Sequence, residues 1–207
     1  LKLIVLHDSI LPKYRGFSPL VNMLINGENQ IGVTALFASK EYDKGPIILQ
    51  KKISIDYPIK IESAIHKISH LYSEIVQEIF QNFKEGKKII SVSQDENKAT
   101  YSLWRDKNDY FIDWNYSSKK IKRLVDALGF PYGGAKCMIE DKVIIIREAE
   151  CFEDLKIENR NVGKIIFFDN QYPIVVCATG LLKIKEAFYE DSGLSILPIK
   201  KFRTKFI

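Results

Sequence analysis

The residues of this chain best suited to chemistry are a histidine and an aspartate 36 positions apart, His7 and Asp43. Each closes an apolar stretch. Residues 3–6 precede His7, and residues 32–38 lead through a polar turn, 39–43, to Asp43. Two parallel strands ending side by side would bring the pair together at one edge of a sheet. Ligands and catalytic groups of open α/β sheets collect at such edges. A carboxylate beside a histidine fixes the imidazole tautomer and suits the pair to acid–base work near neutral pH.

The elements that must hold this pair are legible in part. Ser18-Pro19 has the form of a helix N-cap followed by proline at the first helical position, and Gly27 closes that short helix. Residues 32–38 then read as a strand, and residues 46–55 as further extended chain. From Glu62 to Lys84 apolar residues recur at 64, 65, 68, 71, 72, 75, 76, 79, 80 and 83, the rhythm of a long amphipathic helix ended by Gly86. His66 and His70 lie four apart on that helix. No HExxH pattern or third ligand accompanies them, so they read as solvated, and no metal is expected.

Residues 91–100 are polar and form the best domain boundary, dividing a first domain (1–95) from a second (100–207). The second begins with a short helix from Asn115 or Ser117 that carries Ile121, Leu124, Val125 and Leu128. Five short strands follow, at 135–139, 142–149, 163–168, 173–178 and 181–189. Tight turns at Glu140-Asp141 and Thr179-Gly180 make them a small antiparallel barrel.

Composition narrows the function. With 46% apolar residues the chain can build a substantial core. No apolar run approaches the roughly 20 residues a membrane span needs, so no membrane association is expected. No charged segment precedes an apolar one at the start, as a secretory signal would require. The chain opens inside a strand, which suggests a piece of a longer protein. Three widely spaced cysteines, 137, 151 and 177, read as reduced, packed thiols of a cytoplasmic protein. The net charge of +5 divides evenly: 13 basic and 11 acidic side chains in residues 1–100, 18 and 15 in the remainder. Only the tail with Lys200, Lys201, Arg203 and Lys205 is a basic cluster. A solvated tail is its plain reading, and a phosphate contact the sharper one.

The motifs resemble a family. His7-x-Ser9-x-Leu11-Pro12-x-Tyr14-Arg15-Gly16, then Pro19, Gly27-Glu28, Gly32-Val33-Thr34 and Asp43-x-Gly45, are similar to the catalytic half of the folate-dependent formyltransferases. Ile112-Asp113-Trp114 and residues 127–135 resemble the C-terminal barrel of the methionyl-tRNA and sugar-nucleotide members. The resemblance implies an α/β protein: the C-terminal half of a Rossmann-like formyltransferase domain, then a small OB-like antiparallel β-barrel. The family usually carries asparagine two positions before the histidine, as a donor to the developing oxyanion. Here that position is Val5. Strands that help to build the folate pocket usually precede the histidine, and this chain begins after them.

The reaction so implied is transfer of a formyl group from N10-formyltetrahydrofolate to a primary amine. His7 would take the amine proton or steady the oxyanion, with Asp43 orienting it. Ser39, Lys40, Glu41, Tyr42 and Gly45 would contact the folate. Ser9, Tyr14, Arg15 and Gly16 would line the acceptor side, Arg15 as a planar donor for phosphate or carboxylate and Gly16 allowing close backbone approach. Trp104, Arg105, Tyr110, Phe130 and Tyr132 would stack on a base or sugar or fill the core.

The preferred acceptor is the amine of a nucleotide-linked amino sugar. Residues 102–114 resemble the sugar enzymes, and no domain is basic enough to neutralise many tRNA phosphates. Methionyl-tRNA is the runner-up. The resemblance leaves room for a homodimer. A reading from another class is a non-catalytic OB-like binding module, which the presence of both His7 and Asp43 argues against.

Overall fold

The structure, a computed structural model, describes residues 3–207. The chain divides into two compact units, Leu1–Arg105 and Asp106–Ile207. The division falls after Arg105, beyond the polar tract at 91–100.

In the first unit the chain runs through β1 (Ile4–His7), β2 (Arg15–Gly16), α1 (Pro19–Asn26), β3 (Gln30–Phe37), β4 (Ile47–Ser54), α2 (Ile61–Lys84) and β5 (Tyr101–Ser102). A three-stranded sheet has the order β1-β3-β4. Both pairings are antiparallel, with His7 opposite Thr34 and Thr34 opposite Gln50. The expected parallel arrangement of the His7 and Asp43 strands is therefore corrected. The chain reverses through β2 and α1, so β3 returns in the opposite direction. The loop between β3 and β4 then carries Asp43 back to His7.

Strand β3 is central and buried from Ile31 to Leu36, as expected of a strand covered on both faces. Helix α2 buries the stripe Ile61, Ala64, Ile68, Leu71, Ile75 and Ile79, which is the 3.6-residue period acting as a core face. Lys51 of β4 ties that helix to the sheet through Glu74 (3.3 Å) and Glu78 (3.1 Å). At the start of α1, Pro19 occupies the first helical position as expected. Ser18 is left-handed (φ 47°) and its side chain caps nothing, because its backbone turns away from the extended form a capping hydroxyl needs. Gly27, also left-handed, ends that helix.

The second unit holds α3 (Ser118–Ala127) and the strands β6 (Ala135–Ile139), β7 (Lys142–Phe152), β8 (Ile165–Asp169), β9 (Tyr172–Val176) and β10 (Leu181–Tyr189). They form one antiparallel sheet in the order β6-β7-β10-β9-β8. Its two outer strands are joined through the chain's last residues. Ile207 exchanges backbone bonds with Met138 of β6 (2.7 and 2.9 Å). On the other side Phe206 N donates to Gly163 O (2.8 Å) and Lys205 bridges Lys164 beside β8. Phe206 is fully buried against Trp114. The hydroxyl of Ser117 caps α3 by accepting from Lys120 N (3.3 Å). Cys137 and Cys177 are buried, the latter pushed up to about 12 by burial, whereas Cys151 is exposed rather than packed.

Candidate active site

The site is assembled from three loops of the first unit. The first follows β1. Ser9, fully buried, donates its hydroxyl to Lys13 O (2.7 Å). Thr34, also fully buried, donates to Ser9 O (2.7 Å) and accepts from Leu11 N (3.2 Å). Gln50 donates from Nε2 to Thr34 Oγ1 (2.8 Å) and Leu11 O (3.0 Å). These buried bonds lock residues 9–13 onto β3 and β4, since leaving any of these groups unpaired would carry its desolvation penalty. Ser9 is thus a fastener of the loop, closed to a ligand.

Tyr14 follows with φ 58°, a left-handed backbone uncommon in so large a residue. That twist aims its carbonyl at His7, whose Nε2 lies 2.9 Å away. A carbonyl only accepts, so Nε2 carries the proton and Nδ1 is left for chemistry. The Tyr14 side chain turns elsewhere. Its hydroxyl donates to Glu28 (2.7 Å) and accepts from Asn26 (3.1 Å), with its pKa pushed up to about 12 chiefly by burial. Tyr14 therefore serves the site through its backbone.

Nδ1 of His7 faces Asp43 Oδ2 at 3.7 Å, with both side chains largely buried. This separation is longer than a hydrogen bond, and the contact becomes an ion pair only when His7 takes a second proton at Nδ1. Asp43 is held independently of His7. Its Oδ2 accepts from Gly16 N (2.8 Å), and its backbone is left-handed (φ 55°). Two glycines make this close fit possible. A Cβ on Gly16 would lie 2.5 Å from Ser102 O, and one on Gly45 would lie 1.6 Å from Phe37 O. No side chain fits either place.

Arg15 departs most from expectation. Its side chain is fully buried and offers nothing to an outside phosphate. Nε and Nη2 donate to Gln94 Oε1 (3.1 and 2.8 Å), Nη1 and Nη2 to the Glu96 carboxylate (2.9 and 2.8 Å), and Nη1 to Tyr101 Oη (3.3 Å). The polar segment at 91–100 is thereby folded into the first unit. Its continuation β5 pairs in parallel with β2, Arg15 opposite Tyr101 and Gly16 opposite Ser102. Gln94, Glu96 and Gln50 were not foreseen, and Thr34 was named only within the Gly32-Val33-Thr34 motif, without a role. None carries a spacing signal, because their partners lie 16 to 81 positions away.

Four of the five expected folate-contact residues sit on the turn that ends at Asp43, and the fifth, Gly45, lies two residues beyond it and is buried against Phe37 O. Ser39, Lys40, Glu41 and Tyr42 are exposed, the Ser39 hydroxyl donating to Glu41 O (2.6 Å) and Lys44 pairing with Glu41. Tyr42 is 83% exposed, its ring 6.4 Å from the exposed ring of Phe17. Val5 lies two residues before His7 on the same strand, so both side chains project from one face of the sheet. An apolar group therefore stands where the resemblance places a donor.

A family model described as formyl transferase matches residues 1–80, and one for the formyl transferase C-terminal domain matches residues 105–202. This chain belongs to the formyl transferase family. Among curated relatives, the methionyl-tRNA formyltransferase of Thermodesulfovibrio yellowstonii is 35% identical over 197 residues, 95% of this chain and 61% of its own length. This formyl transferase chain spans about three fifths of the length of the curated relatives it matches. Two solved structures share its fold. The N-formyltransferase from Helicobacter canadensis, in complex with folinic acid and dTDP-3-aminofucose, aligns with a TM-score of 0.68 at 17% identity, over 88% of this chain and 65% of that one. A variant of HypX from Aquifex aeolicus aligns with a TM-score of 0.67 at 22% identity, over 91% and 32%.

Proposed function

We propose that this chain carries the proton-handling half of an enzyme that moves a formyl group from N10-formyltetrahydrofolate to a primary amine. The observation that carries the reading is the His7–Asp43 contact, with each partner fixed separately by a backbone group. Attack of the amine on the formyl carbon forms a C–N bond and a tetrahedral oxyanion. Collapse breaks the bond to N10. In sum, one proton leaves the amine and one is gained by the folate nitrogen. The Nδ1 atom of His7 and the Asp43 carboxylate together can take the first and supply the second, and a protonated His7 also opposes the oxyanion charge. Folinic acid, held by the Helicobacter canadensis neighbour, supports a folate co-substrate. The exposed Tyr42 and Phe17 rings offer an aromatic surface for its flat ring.

For the acceptor, the likeness to methionyl-tRNA formyltransferases at 30–35% identity over 86–95% of the chain favours the amine of methionyl-tRNA. This reverses the preference drawn from sequence. The nucleotide-linked amino sugar remains the second reading, favoured by the evenly divided charge, since a tRNA binder profits from a concentrated basic surface.

The test is to incubate the protein with N10-formyltetrahydrofolate and either methionyl-tRNA or a panel of nucleotide-linked amino sugars, and to identify the formylated product by mass. A formylated methionine, formed at a rate that falls with added salt, supports the first acceptor. A formylated sugar nucleotide supports the second. Release of formate alone, with no amine modified, overturns transfer altogether.

A further inference from the structure

Asp43 can face His7 only if the turn carrying it keeps a left-handed backbone at Asp43 and a backbone approach at Gly45 that excludes any Cβ. Such a conformation needs something to hold it. One side chain supplies donors to both ends of that turn. Gln94 donates from Nε2 to Asp43 O (2.6 Å) and to Gly45 O (2.8 Å). Its other end, Oε1, accepts two bonds from the buried guanidinium of Arg15, which fixes the amide so that the nitrogen must point at the turn. Arg15 is in turn oriented by Glu96 and adjoins Gly16, whose N–H holds the Asp43 carboxylate (2.8 Å). The relay thus grips Asp43 twice, at its carbonyl through Gln94 and at its carboxylate through Gly16.

We infer that Gln94 is the positioning residue for Asp43, and that the 94–96 segment is a working part of the active site rather than a linker. The inference rests on the proposed His7–Asp43 pairing and deepens it. Gln94 touches no reacting atom. Its role requires an acceptor toward Arg15 and a donor toward the turn on one side chain. Only an amide of this length provides both. Glutamate keeps the shape and strengthens the Arg15 pair, yet cannot donate to Asp43 and Gly45. Leucine keeps neither function.

The protein has three histidines, and His66 and His70 are exposed on α2, so the imidazole signals can be followed one by one by NMR. His7 is assigned with the variant His7→Gln. The reference is Asp43→Asn, in which the His7 ring signals move because the carboxylate is gone. Gln94→Glu is expected to move the His7 signals toward those of Asp43→Asn while His66 and His70 stay in place and the far-UV circular dichroism is unchanged. Formyl transfer should fall about tenfold or more in kcat with little change in KM, and Gln94→Asn, one carbon shorter, should not restore it. Unmoved His7 signals in Gln94→Glu, against moved ones in Asp43→Asn, would overturn the role of Gln94 and leave the pair standing. Unmoved signals in Asp43→Asn itself would instead remove the pairing on which the inference rests.

Discussion

Replacing Arg15 with methionine separates a buried strut from a ligand-binding arginine. Methionine keeps most of the stem's packing and deletes the guanidinium. Arg15 is fully buried and donates two bonds to Gln94, two to Glu96 and one to Tyr101. Bonds from a charged donor are worth about 1.5–3 kcal/mol each in net terms. The two to Gln94 share a single acceptor oxygen, so together they count nearer one strong bond than two. Leaving that oxygen unpaired adds about 1–3 kcal/mol. The Glu96 bonds are left out of the sum, because its side chain is 61% exposed and water replaces what it loses. These terms reach about 2.5–6 kcal/mol, and the low end, about 3 kcal/mol, is expected because Gln94 is only half-buried. With a urea m-value of about 1–3 kcal/mol/M, the midpoint should fall by about 1–3 M. Circular dichroism at the helix band reports on the first unit, which contains the 24-residue helix α2. Glu96→Gln should move the midpoint much less. A midpoint shift in Arg15→Met below 0.3 M, with intact folding and weaker acceptor binding, would refute the structural assignment and return Arg15 to the ligand.

Gly45→Ala should be among the most damaging single changes in the first unit. Its Cβ would meet Phe37 O at 1.6 Å and Phe37 C at 2.8 Å, and backbone cannot yield as a side chain can. We expect loss of several kcal/mol, measured as a fall in urea midpoint or failure to express in soluble form. In the second unit, Asp154 is held at about 2 by hydrogen bonds from Arg160 and Gly180 N. That value lies below the ordinary 3.8, so this clamp contributes fully above about pH 4 and is lost as pH falls through about 2. Asp154→Asn should flatten the acid limb of the melting temperature between pH 4 and 2, and an unchanged limb would contradict the clamp. Val5→Asn places a donor on the His7 face of β1. It should raise the rate of formyl transfer, up to the roughly 100-fold that one oxyanion donor supplies, and a lowered rate would show that the apolar group is there for packing.

Local patterns carried well from sequence to structure, and long-range partners did not. The apolar rhythm of α2, expected from Glu62, holds over Ile61–Lys84, and β10 spans Leu181–Tyr189, the bounds expected of the last strand. Strand direction was missed at β1 and β3. Periodicity reports which face a side chain takes, and says nothing of which way the neighbouring strand runs. Arg15 and the 91–100 segment were misread for a single reason. Polar composition looks the same whether a side chain meets water or a buried guanidinium, and the difference is set by Gln94 and Glu96 lying about 80 positions from their partner. The pairing of His7 with Asp43 was anticipated because the motif spacing carried it, although the antiparallel route that joins them was not.

The role proposed for His7 and Asp43 is to move the proton together during formyl transfer. The most direct measurement is kcat/KM for transfer from N10-formyltetrahydrofolate in His7→Gln, Asp43→Asn and the double variant. Groups acting as a unit should each lose about 10³-fold or more, and the double variant should be little worse than the single ones. Near-wild-type transfer by either single variant, or fully multiplicative losses in the double, would contradict it.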